Sequence, residues 1–187
     1  TYLSYNMVAG NASDSQMAMA FEVLDYALLS APGAPLKQAL LDAKAGKDVY
    51  GSYDDGILQP YFTVIAKGSN PDKKEEFLSV IRQVLGDIVK NGIDKKAIEA
   101  GINYFEFRYR EADFSSYPKG LMYSLDILGD WLYEQGNPFA QVQQLEVFEK
   151  LKAAVNEGYF EELIRKYLLE NPHGCVLTLV PKKGLAA

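Results

Sequence analysis

From Pro71 to Pro172 the sequence offers no strand pattern. Five amphipathic stretches with helical spacing follow one another, and only then does a short apolar strand, Cys175 to Val180, close the chain. All the other strand signals lie before Lys67. An even alternation of strand and helix is therefore absent, and a doubly wound parallel sheet does not fit. The order predicts an α+β domain, with a largely antiparallel sheet and helices packed on one of its faces. Its final strand must return to the first ones across the whole helical run.

The segments read as follows. Thr1 to Ala9 is a strand ended by Gly10-Asn11, and Ser13 and Asp14 are caps for the next helix. Met17, Phe21, Leu24 and Leu28 form its buried stripe. Pro32-Gly33 ends it, and a short helix follows Pro35 with Leu36 and Leu40 inward. Val49–Ser52 and Leu58–Ala66 read as strands around the turn Asp54-Asp55-Gly56, the second continuously apolar and so suited to an inner sheet position. Five helices follow. Phe77, Val80 or Ile81, Val84 and Ile88 mark the first, which closes at Asn91-Gly92 with Gly92 as a left-handed cap. Asp94 caps the second, where Ile98, Ile102, Phe105 and Tyr109 face one way, the first three expected against the sheet, and Tyr104 and Phe107 widen the apolar side. Leu121, Leu125, Leu128 and Leu132 mark the third, from Tyr117-Pro118. Gly136-Asn137-Pro138 separates it from the fourth, with Leu145, Phe148 and Leu151. Gly158 precedes the last, Tyr159 to Leu169. In the sheet, Phe62, Val64, Leu177 and Leu179 are expected to point at the helices.

The 187 residues suit one domain, with a linker beginning at Lys182. A chain of this size buries roughly two-thirds of its unfolded surface and needs no staples. With 13 Tyr and 9 Phe it is rich in aromatics, which reads as core packing, with a domain interface or peptide groove as the alternative. A net charge of −6 argues against a phosphate-binding tract and so against nucleic acid. The lysines between Lys67 and Lys74 are broken by Gly68 and Pro71 and followed by Glu75 and Glu76, as in a solvated turn. No apolar run approaches the roughly 18 residues of a membrane helix, so no membrane partner is expected. One cysteine excludes an internal disulfide and favours a reducing compartment, bacterial cytoplasm or an organelle matrix. The start at Thr1, without methionine or leader, reads as a cut through a longer chain.

Candidate chemistry is sparse. Zinc needs three or four His, Cys or acidic ligands, and the chain has one His, His173, and one Cys, Cys175. Two apart in a strand, they would share a side, but local hydrogen bonding is the simpler role for His173 between Pro172 and Gly174. Asp54 and Asp55 are explained by their turn. No nucleophile elbow, dinucleotide fingerprint or P-loop occurs. The carboxylate pairs Glu106 with Glu111 and Asp126 with Asp130 lie on helices and read as a solvated face. No catalytic residue, cofactor site or metal site is assigned.

Three stretches resemble a known family: SAPGAPLKQALLDAKAGKDVYGSYDDG, GIDKKAIEAGINYFEFRYREADFSSYPKGL, and YFEELIRKYLLENPHG with the strand CVLTLVPKKG. In order and spacing they resemble the second domain of the presequence-protease branch of the insulinase/pitrilysin (M16) zinc metallopeptidases. The resemblance implies the metalloprotease-like (LuxS/M16) fold for residues 1–181, with 182–187 beginning an interdomain hinge. It implies four homologous domains around a closed chamber. Zinc is held in the first, at an H-x-x-E-H motif that nothing here matches. This domain would then be non-catalytic, with no cofactor of its own. It would build the chamber wall, its partners being the other domains of the parent peptidase and, through the chamber, unstructured peptide substrate. In the family's fourth domain an arginine and a tyrosine of the form R-x-x-G-G-A-Y-G assist the zinc site. The matching stretch is KAGKDVYG, with Tyr50 at the tyrosine and Lys44 at the arginine. Lysine lacks the two-pronged donor geometry of arginine, so Lys44 and Tyr50 are expected to be chamber-facing relics of shared ancestry, with Tyr50 kept for strand packing. Two alternatives stand beside this reading. One is a stand-alone binding or scaffold protein of the same fold, like the core subunits of respiratory complex III. The other is an enzyme with an unmarked carboxylate site.

Overall fold

The computed structural model describes residues 1–184 apart from 12, 113, 134–138, 140 and 141, and the side chains of all of these except 129 and 130. The Gly136-Asn137-Pro138 break and the last linker residues lie outside the described residues. Four strands form one antiparallel sheet: β1 (Tyr2–Val8), β2 (Asp48–Asp54), β3 (Tyr61–Lys67) and β4 (Gly174–Leu179), in the order β2-β3-β1-β4. The helices are α1 (Ser15–Asp25), α2 (Pro35–Asp42), α3 (Lys74–Asn91), α4 (Lys95–Glu111), α5 (Lys119–Trp131), α6 (Leu145–Ala154) and α7 (Tyr159–Leu163). Wider π-helical turns continue α1 through Tyr26–Ser30 and α7 through Ile164–Leu169. The expected α+β architecture is present, with β3 in an inner position and β4 returning to pair with β1.

Local chemistry explains the boundaries. Asp14 caps α1, its Oδ1 accepting from the Met17 N–H at 2.9 Å; Ser13 instead donates to Asn11. Asp94 caps α4 through the N–H groups of Lys96 and Ala97. β2 and β3 are shifted from the expected spans, because Pro60 brings no N–H and Ile57 and Leu58 stay in an exposed loop. Gly92 has φ +91° but ψ 151°, so it leaves α3 by an extended turn and not by a left-handed cap.

Register decides which side of the sheet is buried. Leu3, Met7, Phe62, Val64, Ala66 and Val49 alternate along their strands and are fully buried against the helices. Phe21 of α1 sits over them, stacked on Tyr53 at 5.2 Å and edge-on to Tyr167 at 5.7 Å. The Tyr53 hydroxyl donates to the Ala9 carbonyl at 2.9 Å. Leu177 and Leu179 do not join this layer. They pair with Ser4 and Tyr2, on the opposite face, and are 58% and 65% exposed. Val176 packs inward in their place. The run CVLTLV is apolar on both faces, so its pattern left the side undecided.

Two helical expectations also change. α4 rests chiefly on α1, its π-helical continuation and α6, so Ile98 and Ile102 are buried between helices and not against the sheet. Phe107 is exposed, and Tyr104 stacks on Tyr26 at 5.3 Å without being buried. The leucines of α5, from Leu121 to Leu128, are about half exposed. Among the described residues no helix is long and apolar enough to cross a membrane.

Candidate functional site

Lys44 follows the end of α2, and Tyr50 is the third residue of β2. Lys44 has φ +52°. Its N–H donates to the Leu41 carbonyl at 2.9 Å, and the Ala45 N–H donates to the Leu40 carbonyl at 3.0 Å. These are the paired bonds of a Schellman stop, with Lys44 in the left-handed position and both Ala45 and Leu40 buried. Lys44 therefore has a local backbone role that its identity does not advertise. Tyr50 stands on the outward face of β2, 39% exposed, opposite Ile65. On that face it points away from the helix layer. Next to it, Gly51 faces inward. A Cβ there would lie 2.3 Å from Leu29 Cδ1, 2.4 Å from Asp25 Oδ1 and 2.9 Å from the Thr63 carbonyl oxygen. Only glycine lets β2 approach α1 this closely.

That approach leaves a pair of carboxylates under the hairpin. Asp25 Oδ2 accepts from Ser30 at 3.2 Å, while Oδ1 is buried without a hydrogen-bond partner. Burial raises the Asp25 carboxyl above its ordinary value, against the Ser30 hydrogen bond. Glu22, one helical turn earlier, is raised from 4.5 to about 7. Burial is the largest cause, followed by the charges of Asp55 and Asp25; Arg108 of α4 opposes them. Asp126 of α5 is also raised, by burial and by Asp55. Sequence reasoning missed Glu22 and Asp25. The signal was there: two acids three apart in FEVLDYALL, a helix otherwise apolar on every side.

The other candidates resolve into structure. Glu106 is buried at 9% exposure and accepts from Arg110 Nε at 2.8 Å and from Lys152 Nζ of α6 at 2.6 Å. Hydrogen bonds from Lys152 and Arg110 hold its carboxyl below the usual range. It fastens α4 to α6, while Glu111 is exposed. The side chain of Asp130 lies outside the described residues. His173 precedes β4; its N–H donates to Asn171 Oδ1 at 2.9 Å and its carbonyl accepts from Val8 at 3.0 Å. His173 and Cys175 border a cavity of about 570 Å³ with Tyr61 and Asn6. Tyr61 is committed to Asp54 at 3.0 Å, and the Asn6 amide to Ser4 at 2.9 Å. Among the described residues no three His, Cys, Asp or Glu side chains are placed to hold a metal ion. This donor set does not fit zinc.

The comparisons agree with this inventory. The family model Peptidase M16 inactive domain matches residues 1–105. A Clostridium perfringens protein, Protein HypA, is 44% identical over 99% of this chain, which corresponds to 19% of that protein. Presequence protease 1, chloroplastic/mitochondrial, of Arabidopsis thaliana is 31% identical over 90% of this chain and 16% of its own length. The chain thus spans less than a fifth of these curated relatives. Among solved structures, the inactive peptidase domain from Bordetella parapertussis superposes with a TM-score of 0.69 at 13% identity, covering 98% of this chain and 94% of that one. The family model matches more than half of the sequence and the fold agrees with it, and the chain belongs to the Peptidase M16 inactive domain family.

Proposed function

We propose that this chain is a non-catalytic domain of a longer zinc-dependent peptidase of the insulinase family, one that degrades unstructured peptides inside a closed chamber. Residues 1–181 form the domain and 182–187 begin the hinge to the next one. Zinc and the catalytic base reside in another domain of the parent, and this domain contributes chamber wall and interdomain surface. The observation that carries the reading is the match of almost the whole chain to under a fifth of a presequence protease, in a stretch whose donors do not fit zinc. The relatives that bear the name presequence protease favour this reading over a stand-alone scaffold. The compartment is bacterial cytoplasm or an organelle matrix.

Lys44 and Tyr50 are relics in this reading, the first serving as a helix stop and the second as a cross-strand neighbour. The test is made in the full-length parent with Lys44→Ala and Tyr50→Phe. With no transition-state contact deleted, kcat stays within about threefold of the parent. A fall of about 100-fold in a folded variant would give these residues a part in catalysis and overturn the wall role.

A further inference from the structure

The two edges of the sheet are not alike. β2 packs on α1, its π-helical continuation and α2, and Asp48 and Asp54 bracket it with charge. β4 is the outermost strand on the other side and packs chiefly on β1. Its sequence, GCVLTL, holds no charge and no proline. Leu177, Leu179 and the following Val180 are each more than half exposed, and Tyr2 beside Leu179 extends the same outward face. An uncharged strand edge beside exposed leucines is a template for pairing, which soluble proteins cover or blunt.

What covers it follows from chain length. In the Clostridium and Arabidopsis relatives, four-fifths or more of the polypeptide lies outside the matched region. A segment on the same chain meets β4 without a bimolecular encounter, at an effective concentration that reaches about millimolar where the connection is short and flexible. We infer that the free edge of β4 is the docking site for an extended segment of the same parent polypeptide, from outside residues 1–187, which adds a strand to the sheet and covers Leu177 and Leu179. This rests on the reading that the chain is one part of a longer peptidase.

Cys175, exposed on the outward face of β4, is a built-in reporter, and it is the only thiol in this chain. The 187-residue chain has a continuous core of its own, and the related Bordetella domain was solved as a chain of which this fold covers 94%. The domain can therefore be compared directly with the full-length parent, whose remaining cysteines are replaced by serine. Amide exchange across β4 and the rate of Cys175 alkylation by a maleimide are measured in both. The expected result is fast exchange and fast labelling in the 187-residue chain at every concentration, and at least tenfold slower values in the parent. Equal values in both would overturn the proposal. So would protection in the 187-residue chain that grows with its concentration, which would assign the edge to a second copy. Protection in the parent only after adding an unstructured peptide would overturn it in favour of substrate. Zinc content and peptide hydrolysis of the parent are read separately. Their absence would remove the peptidase reading and leave the β4 result to stand or fall alone.

Discussion

Gly51 carries a sharp constraint at the scale of single residues. With Leu29, Asp25 and the Thr63 carbonyl all inside contact distance of a methyl group at this position, Gly51→Ala is expected to destabilise by about 1–3 kcal/mol in urea denaturation. A neutral result would mean that β2 and α1 are not in close contact there. Glu22 sets a pH dependence. Its carboxyl is raised to about 7 in the folded chain, against 4.5 as the ordinary value, so the folded state binds more protons between those two limits. Stability should therefore fall as pH rises from about 4.5 to about 7, and Glu22→Gln should flatten that slope and raise stability at pH 8. An unchanged slope in the variant would refute the assignment. Lys44 pays a left-handed backbone cost for closing α2. Lys44→Gly should stabilise by about 0.5–1 kcal/mol, and a loss of stability would show that the lysine side chain contributes more than the stop.

Elements were legible where one pattern dominated. The helical run, the inner place of β3 and the return of β4 all follow from periodicity and order, as do the Asp14 and Asp94 caps. Less legible was whatever depended on a choice between equals. β4 is apolar on both faces, so only its register with Tyr2 and Ser4 turned Leu177 and Leu179 outward. α4 has an apolar side that fits another helix as well as a sheet, and it lies on α1 and α6. The KAGKDVYG stretch could be matched by resemblance, but nothing about lysine announces a positive φ at position 44. The corrected facing has a direct check by thermal or urea unfolding. Phe62→Ala should cost about 3–5 kcal/mol and Ile102→Ala about 2–5 kcal/mol. Leu177→Ala in the 187-residue chain should stay within about 0.5 kcal/mol of the parent sequence. A large loss at Leu177 would put β4 in the opposite register.

For the whole molecule, polar groups act mainly as fasteners. Glu106 joins α4 to α6, Tyr53 ties β2 to the end of β1, and Asp94 starts α4. The most unusual carboxylates, Glu22 and Asp25, lie beneath the β2–β3 hairpin, and among the described residues they are not gathered with a histidine or cysteine into a metal cage. The apolar surface that remains exposed is concentrated on α5 and along β4. Such a distribution suits a wall between neighbours better than a reaction centre. The proposed role is that of a domain that supports a zinc peptidase without holding its zinc. It is tested most directly by loading the 187-residue chain with zinc, dialysing it to equilibrium, and measuring bound metal by mass spectrometry beside hydrolysis of an unstructured peptide. Well under one zinc per chain and no hydrolysis above buffer are expected, because among the described residues no three His, Cys, Asp or Glu side chains are placed to hold a metal ion. One tightly held zinc per chain, with hydrolysis that a chelator abolishes, would contradict it.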